Sequence, residues 1–598
     1  MISAMTKYSF ILLNGDQDGF LERLQELGLV DITRSVKPVD GRSSALLSKA
    51  ESLKSLSASL MRIDFPEGLE ATPVTGDLAA TATEDLDRLA SLESALATAR
   101  KDAAARLPWG EFDATELARL TDAGYRLHFH TVTSKSFRPE WAEQVPLQVI
   151  SEQNGKTRFV TILPAGEGDI LPDEVPAPAA SYRDAETQAA ALEQEILPVK
   201  ARLLGARGRV SELEASCKRE LVELDRYLAS AAAVPAAEDK IVSLVGYAPT
   251  DNEEAVTAYL EKTGVFYLKD AASVEDNPPI QFKNNKFVKM FEVLTDMYGR
   301  PAYDGFDPTP FIAVFFLLFF ALCMGDAGYG LVLIVIGLLM KKSERFKGMA
   351  PLVVTLGIGT AVVGFFLHTF FSIDIAQWKV FEPVKFLFLP DEIAGYAGGM
   401  VLSIVVGIIH LCLAMVVKAI NEVRVKGIYA SLGTLGWTLL IVGGVIVGGI
   451  ALTGALSSGV VKGILIVLGI VSALGIFVFN DPERNKFANV GMGLWDTYNT
   501  ATGLLGDVLS YLRLYALGLA GGMLGMAFND MGKMVLGDGS SIGLWIPFIL
   551  LVLIGHTLNI AMCALGAFVH PLRLNFLEFF KNSGYEAAGR NYNPLKKQ

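Results

Sequence analysis

The sequence predicts a mainly α-helical protein in two parts. The first is an N-terminal cytoplasmic half built on an antiparallel coiled-coil rod with small α/β lobes; the second is a C-terminal bundle of eight transmembrane helices, the last two long and tilted. Three observations carry this reading. Of the 598 residues 51% are hydrophobic, but they are unevenly spread: up to about Asn285 the chain is rich in Glu, Asp, Lys, Arg and Ala, and beyond it long apolar runs dominate. A heptad-like seam runs from Leu192 to Leu228. Lysine and arginine also alternate between dense and sparse from one loop of the apolar half to the next.

Taken in order, the N-terminal "MISAMTKYSFILLNGDQDGF" has a short apolar run and no small-residue cleavage site, so it reads as no signal peptide, and the polar half is expected in the cytoplasm. Residues 1–300 form the expected soluble domain, with the rod at 42–106 and 181–232 and lobes at 1–40, 107–180 and 239–285. In the seam, Leu192, Ile196, Val199, Leu203, Ala206, Val210, Leu213 and Cys217 alternate steps of four and three, and one extra four-step leads to Leu221, Leu224 and Leu228. That is a long helix with a stutter, and Pro198 should kink it or mark its start. Leu46, Leu53, Leu56, Leu60 and Ile63, then Leu86, Leu89 and Leu96, repeat the pattern more weakly and supply the return arm. An ordinary helical domain is the alternative to a rod. "KIVSLVGYAPTDNEEAVTAYLEKTGVFYLKD" reads as strand, turn, helix and strand. His128 and His130 share one face of another strand and, with no third ligand in sight, read as surface or packing residues rather than a metal site.

Residues 301–598 form the expected membrane domain. Apolar runs near 308–324, 326–341, 349–372, 396–417, 428–454, 460–480, 497–532 and 542–580 make eight candidate spans on the ~20-residue criterion. One set of loops holds Lys341, Lys342, Arg345 and Lys347, then Lys418, Arg424 and Lys426, then Arg484 and Lys486; the alternate set holds Lys379 and Lys385, Lys462 and Lys533. The first set is therefore cytoplasmic, and an even number of spans puts both termini on that side. Cys217, Cys323, Cys412 and Cys563 lie far apart without metal-ligand spacing and read as small hydrophobes, so neither a metal nor a cofactor is expected. A net charge of −12 argues against a nucleic-acid partner.

The charge that does not fit is Arg513, in the middle of "GDVLSYLRLYALGLAGGMLGMAF". The stretch from Thr497 to Gly532 would be ~50 Å long as a helix, against a hydrocarbon core of ~30 Å, so it must tilt or project. A central arginine is too far from either interface to snorkel, costs at least ~2.5 kcal/mol to hold there, and cannot escape by losing its proton. It must meet an acid or water. Asp507 lies six residues earlier, a poor match to helical spacing, and Asp530 is far along the axis, so the acid is expected on another polypeptide. Gly518, Gly521, Gly522 and Gly525 bare one face of this helix, either for ordinary packing or for a moving neighbour. On the last span, His556 and Asn559 share a face, as do His570 and Arg573, and such faces line wet paths; Arg573, followed by Glu578 and Lys581, could instead anchor the cytoplasmic end.

There is no G-x-x-x-x-G-K-[ST] loop, no H-E-x-x-H and no G-x-S-x-G, so energy must come from a partner or an ion gradient. "GDVLSYLRLYALGLA" and "LGAFVHPLRLNFLEFFKNSG" closely resemble the last two membrane helices of the large stator subunit of rotary V-type and A-type ATPases, subunit a of eukaryotes and subunit I of bacteria and archaea. "DPTPFIAVFFLLFFALCMGDAGYGLVL" and "SLVGYAP" support the match, which covers the whole chain in its order of parts. The resemblance implies a non-catalytic, ion-translocating subunit of a proton- or sodium-transporting rotary complex, in a prokaryotic plasma membrane.

Its Arg513 would face a rotor ring of small membrane subunits that carry carboxylates, between two aqueous half-channels, with Arg573 assisting. Ser510, Asp507, His556, Asn559 and His570 are the candidate channel-lining groups. Implied partners are that ring, peripheral stalk subunits bound by the rod, a central-stalk-associated membrane subunit, and a soluble ATPase sector reached through the stalks. Many eukaryotic relatives carry a histidine eight residues after the first arginine and a glutamate ten before the second; Gly521 and Cys563 stand there, which points to the bacterial or archaeal branch. Two other classes remain: a secondary transporter or channel with an intramembrane arginine site, expected to show paired broken helices, and a membrane-anchored scaffold.

Overall fold

The leucines of the seam form helices that pack in antiparallel pairs. In the computed structural model, which describes residues 1–165, 171–177, 181–236, 238, 240–343, 346–452, 454–479, 486–537 and 542–597, contacts divide the chain into two compact units. Arg345 and Arg484, used above to orient the spans, lie outside the described residues.

The unit made of Leu13–Gly28, Thr33–Val242 and Leu595–Gln598 holds the seam. Its helices are α1 (Gly41–Arg62), α2 (Leu78–Arg106), α3 (Tyr182–Arg207) and α4 (Val210–Ala231). Capping boxes start two of them, Asp40 with Ser43 on α1 and Ser181 with Asp184 on α3, each satisfying backbone donors that a helix end leaves open. Ion pairs run in opposite order along the partners: Lys49 with Glu220 and Arg42 with Glu223 join α1 to α4, while Asp85 with Arg202, Glu93 with Lys200 and Arg100 with Glu193 join α2 to α3. Leu53, Leu56, Leu60, Leu89, Ile196, Val199, Leu203 and Leu213 are buried between them.

The seam is not one helix, because it breaks between Arg207 and Val210. The segment joining α1 to α2 crosses there: Thr72 N–H donates to Ala201 O at 2.9 Å, and Arg209 Nη1 leaves the helix surface to donate to Val74 O at 3.1 Å. A Cβ added to Gly205 would stand 2.0 Å from Thr72 O, so only glycine admits the crossing segment. Pro198 lies inside α3, which continues past it. In the same unit, Leu147–Gln153, Lys156–Pro164, Tyr125–Thr133 and Glu174–Val175 form a four-stranded antiparallel sheet in that order. His128 and His130 are buried in it. His128 Nδ1 meets Glu174 Oε1 at 2.6 Å, and the His130 ring stacks on Phe159 at 4.8 Å.

The other unit, Met1–Leu12, Leu29–Ile32 and Ser243–Pro594, joins a small sheet to the apolar helices. Ile241–Pro249, then α5 (Glu253–Thr263), then Phe266–Ala271 are the strand, helix and strand read from the sequence. In the sheet, Asp31–Ile32, Ile241–Pro249, Met5–Leu13 and Phe266–Ala271 are neighbours in that order. The C-terminal segment returns to this lobe. Pro279–Ile280 pairs with Arg590–Asn591, Tyr592 Oη donates to Leu29 O at 2.5 Å, and Asn593 N–H donates to Asp31 Oδ2 at 3.1 Å.

Among the described residues eight apolar helices follow: α6 (Thr309–Met324), α7 (Ala327–Met340), α8 (Ala350–Phe366), α9 (Gly398–Lys426), α10 (Leu432–Leu452), α11 (Ser458–Ala473), α12 (Lys486–Leu536) and α13 (Ile542–Arg573). Among the described residues five helical stretches are long and apolar enough to cross a membrane: those holding α9 to α13. The helices α6, α7 and α8 are apolar but shorter, at 16, 14 and 17 residues. Gly325 in the left-handed region and Asp326 as N-cap make the sharp break between α6 and α7. The helices α7 and α8 lie backbone to backbone, since a Cβ on Gly364 would stand 2.2 Å from Ala327 N. The core that α6, α7 and α8 share with α9, α12, α13 and the turns after α13 is aromatic, including Phe316, Phe319, Tyr329, Tyr511, Phe579 and Phe580.

Candidate functional site

With 51 residues, α12 is the longest described helix, ~77 Å at 1.5 Å per residue, and Arg513 stands near its middle. Its neighbours Tyr511 and Leu514 are fully buried, whereas Arg513 is exposed on the outer side of the bundle. Among the described residues it forms no ion pair or hydrogen bond. Apolar side chains flank it on the same exterior, with Leu505, Leu509 and Leu519 on α12 and Leu565 and Val569 on α13 all exposed. Arg573 is likewise exposed, one residue after the buried Leu572. The four glycines divide. Added Cβ atoms would meet Leu322 O at 2.8 Å from Gly518, Cys563 Sγ at 2.5 Å from Gly521 and Ser372 Oγ at 2.1 Å from Gly525, while Gly522 has nothing within 4 Å. Three of them serve packing within this chain, and only Gly522 leaves room for a neighbour.

On the Leu536 side of Arg513 lies a closed polar network. His556 Nδ1 and Asn559 Nδ2 both reach Tyr329 Oη, each at 2.8 Å. His556 Nε2 meets Asn529 Oδ1 at 2.9 Å, and Asn529 Nδ2 donates to Phe371 O at 2.8 Å. Asn559 Nδ2 also donates to Gly521 O at 2.9 Å, and Cys563 Sγ donates to Asn559 Oδ1 at 3.3 Å. Beside it Asp326, 4% exposed, accepts four backbone N–H groups, from Gly328, Tyr329, Phe371 and Ser372, at 2.5–3.1 Å. Phe371 and Ser372 hold φ of 47° and 57°, a left-handed conformation that these bonds impose. A cavity of about 430 Å³ opens alongside, lined by Asp326, Tyr329, Ser372, Tyr515, Gly518 and Gly522 among others. At its rim His368 bridges two carboxylates, Nδ1 to Asp374 at 3.0 Å and Nε2 to Asp391 at 3.2 Å. The Asp374 carboxyl is held below its ordinary value of 3.8: burial pushes it up, but donors from Ala376 N–H and Gln377 and the adjacent His368 outweigh that.

On the Lys486 side the polar groups are left open. Asp507 accepts from Asn582 Nδ2 at 2.8 Å and lies 3.8 Å from Lys581 Nζ. Both line a cavity of about 280 Å³ with Lys418, Thr434 and Asn499. Ser510 donates to Gly506 O at 3.2 Å and borders His570 and Glu578. His570, Asn575 and Glu578 are 6%, 0% and 4% exposed, yet His570 Nε2, Asn575 Oδ1 and Glu578 Oε2 have no protein hydrogen-bond partner. Asn575 and Glu578 stand on a π-helical turn, Leu574–Phe579, that continues α13 and rotates its side chains inward.

The sequence-predicted groups are thus sorted rather than gathered. Arg513 and Arg573 face outward, Asp507, Ser510 and His570 form one cluster, and His556 and Asn559 form another. Sequence reading passed over Tyr329, Asn529, Asp326 and Asn575, and took Glu578 only as part of an end anchor. Asp326 has a visible signal, a lone acid between two apolar runs; Tyr329 depends on a contact with His556 across 227 positions, Asn529 on one with Phe371 across 158, and Asn575 on the π-helical turn that directs it inward. No cluster of His, Cys, Asp and Glu among the described residues could hold a metal ion.

The five helical stretches long and apolar enough to cross a membrane mark a helical membrane protein, with an outward arginine between two buried polar clusters. The V-type ATPase 116kDa subunit family matches this chain at residues 232–350. The A-type ATP synthase subunit I of Methanocaldococcus jannaschii is 30% identical over 455 residues, 70% of this chain and 64% of that one, so the match spans less than two thirds of that relative. The V-type ATP synthase subunit I 1 of Treponema pallidum is 25% identical over 647 aligned positions, covering 100% of both chains. The A-type ATP synthase subunit I of Pyrococcus horikoshii is 32% identical over 370 residues, 59% of this chain and 53% of that one. These matches support the subunit I/a family of V-type and A-type ATPases, in its bacterial and archaeal branch.

Proposed function

We propose that this chain is the non-catalytic membrane stator subunit of a rotary V/A-type ATPase, carrying protons or sodium ions through two half-channels past a rotating ring of carboxylate-bearing subunits. The observation that carries it is the placement of Arg513: exposed, unpaired among the described residues, and set between the two polar clusters along one helix. A carboxylate facing lipid stays protonated or ion-bound. Beside a permanent cation its pKa falls by ~1 to 3 units and it releases its ion. Arg513 would therefore strip each arriving ring carboxylate and block leakage between the half-channels. Arg573 would assist from α13.

In this reading residues 301–598 are the membrane domain, with α6, α7 and α8 completing eight spans, and residues 1–300 are a cytoplasmic stator domain whose paired helices act as a coiled-coil rod that anchors peripheral stalks. Both termini lie in the cytoplasm and the membrane is a prokaryotic plasma membrane. The ring, a central-stalk-associated membrane subunit and the soluble ATPase sector complete the partners. The test is ion pumping by the intact complex in sealed vesicles, with assembly matched between parent, Arg513→Ala and Arg573→Ala. Pumping is expected to vanish in Arg513→Ala and to fall less in Arg573→Ala; full pumping by Arg513→Ala would reduce that arginine to a packing residue.

A further inference from the structure

We infer that Glu578 is the relay residue of the Lys486-side half-channel, taking a proton from water at the Asp507 cavity and handing it toward the face that Arg513 occupies. This rests on the ion-path reading above and adds a residue to it. A carboxyl group 4% exposed, with one oxygen lacking any protein donor, is costly unless water reaches it. The two neighbouring unpartnered atoms, His570 Nε2 and Asn575 Oδ1, are polar sites of the same kind on the same stretch of chain. A short file of waters bonded to all three satisfies each of them at once, since a buried water makes ~3 hydrogen bonds.

The file has two ends. Toward Lys486 the Glu578 carboxyl faces Asp507, which lines the cavity with Lys581 and Asn582. Toward the exterior it faces Ser510 and Arg573, and Ser510 also borders His570, which in turn senses both Arg513 and Arg573. Tyr511, held by His410 of α9 at 3.0 Å, closes the inner wall. One proton adds to a Glu578 oxygen from the water on the cavity side and leaves the carboxyl to the water on the other. Nothing is oxidised or reduced.

The experiment uses the assembled complex in sealed vesicles, with proton flux driven by ATP or by an imposed pH gradient and followed with a pH-sensitive dye. Glu578→Gln keeps the volume and is expected to lower flux at least about tenfold. Glu578→Asp is expected to retain most of the flux with a displaced pH profile. Flux by Glu578→Gln within about twofold of the parent, with an unmoved profile, overturns the proposal. So does equal loss in both variants with the parental profile in what remains, which is the mark of a packing role. If Glu578→Gln fails to assemble, Glu578→Asp decides alone: a displaced profile supports the relay and an unchanged one overturns it. Arg513→Ala in parallel separates the two levels. If it conducts fully, the ion-path reading fails; if it is dead while Glu578→Gln conducts, only the relay fails.

Discussion

The two polar clusters along α12 use similar side chains and treat them in opposite ways. Beyond Arg513 toward Leu536, Tyr329, Asn529, His556 and Asn559 bond to one another and to backbone carbonyls until little is left to satisfy. Toward Lys486, His570, Asn575 and Glu578 are as deeply buried but keep atoms without protein partners. A closed network rigidifies, because any loss strands a buried partner; an open one is a place for water. In our proposal the first cluster holds the α7–α12–α13 contact and the second carries the wet chemistry, whereas the sequence offers both as one set of channel-lining candidates.

The harshest way to break the contrast is steric. Gly525→Val would drive a side chain into Ser372, part of the loop that Asp326 pins, and should cost about 3 kcal/mol and abolish assembled protein, measured as complex recovered from membranes. Next comes Asn559→Leu, which removes one of the two partners of Tyr329 Oη and the side-chain donor to Gly521 O. A loss of about 2–3 kcal/mol in resistance to thermal denaturation is expected, with flux per assembled complex retained. Flux lost at unchanged stability would erase the division of labour drawn here. Ser510→Ala should do the reverse, changing stability by less than about 0.5 kcal/mol while lowering flux a few-fold, measured on the same vesicles.

The smallest effect concerns the rim of the closed side. Because the folded-state pKa of Asp374 is depressed, its contribution to loop stability is present above about pH 4 and lost as pH falls through that folded value. Its side chain is 41% exposed, so screening keeps the effect small. Hydrogen exchange of the Thr369–Asp374 hairpin, compared at pH 5 and below pH 3 after correction for intrinsic rates, would reveal it.

The legible part of this molecule was whatever a local pattern could announce. Arg513 stood out as one charge in an apolar run, and the seam residues from Ile196 to Leu213 carried their spacing into a buried core. What stayed hidden depended on segments far apart. The break at Arg207 follows from the crossing of Thr72, which no heptad count contains. The glycine stripe suggested a bare face, but Leu322, Ser372 and Cys563 cover most of it. Glu578 looked like an end anchor because a π-helical turn, not an α-helical one, decides which way it points.

The stitching of the C-terminal segment onto the N-terminal strands also sets a schedule for biogenesis. Tyr592 and the carbonyl of Leu29 are separated by 563 positions, and every apolar helix lies between them. During synthesis the sheet lobe therefore waits, with Leu29 and Asp31 lacking these partners, until the last helix has been inserted and the chain has turned back. A chain whose final helix failed to insert would keep that edge uncovered, giving chaperones and proteases a distinguishing mark before any other subunit is met.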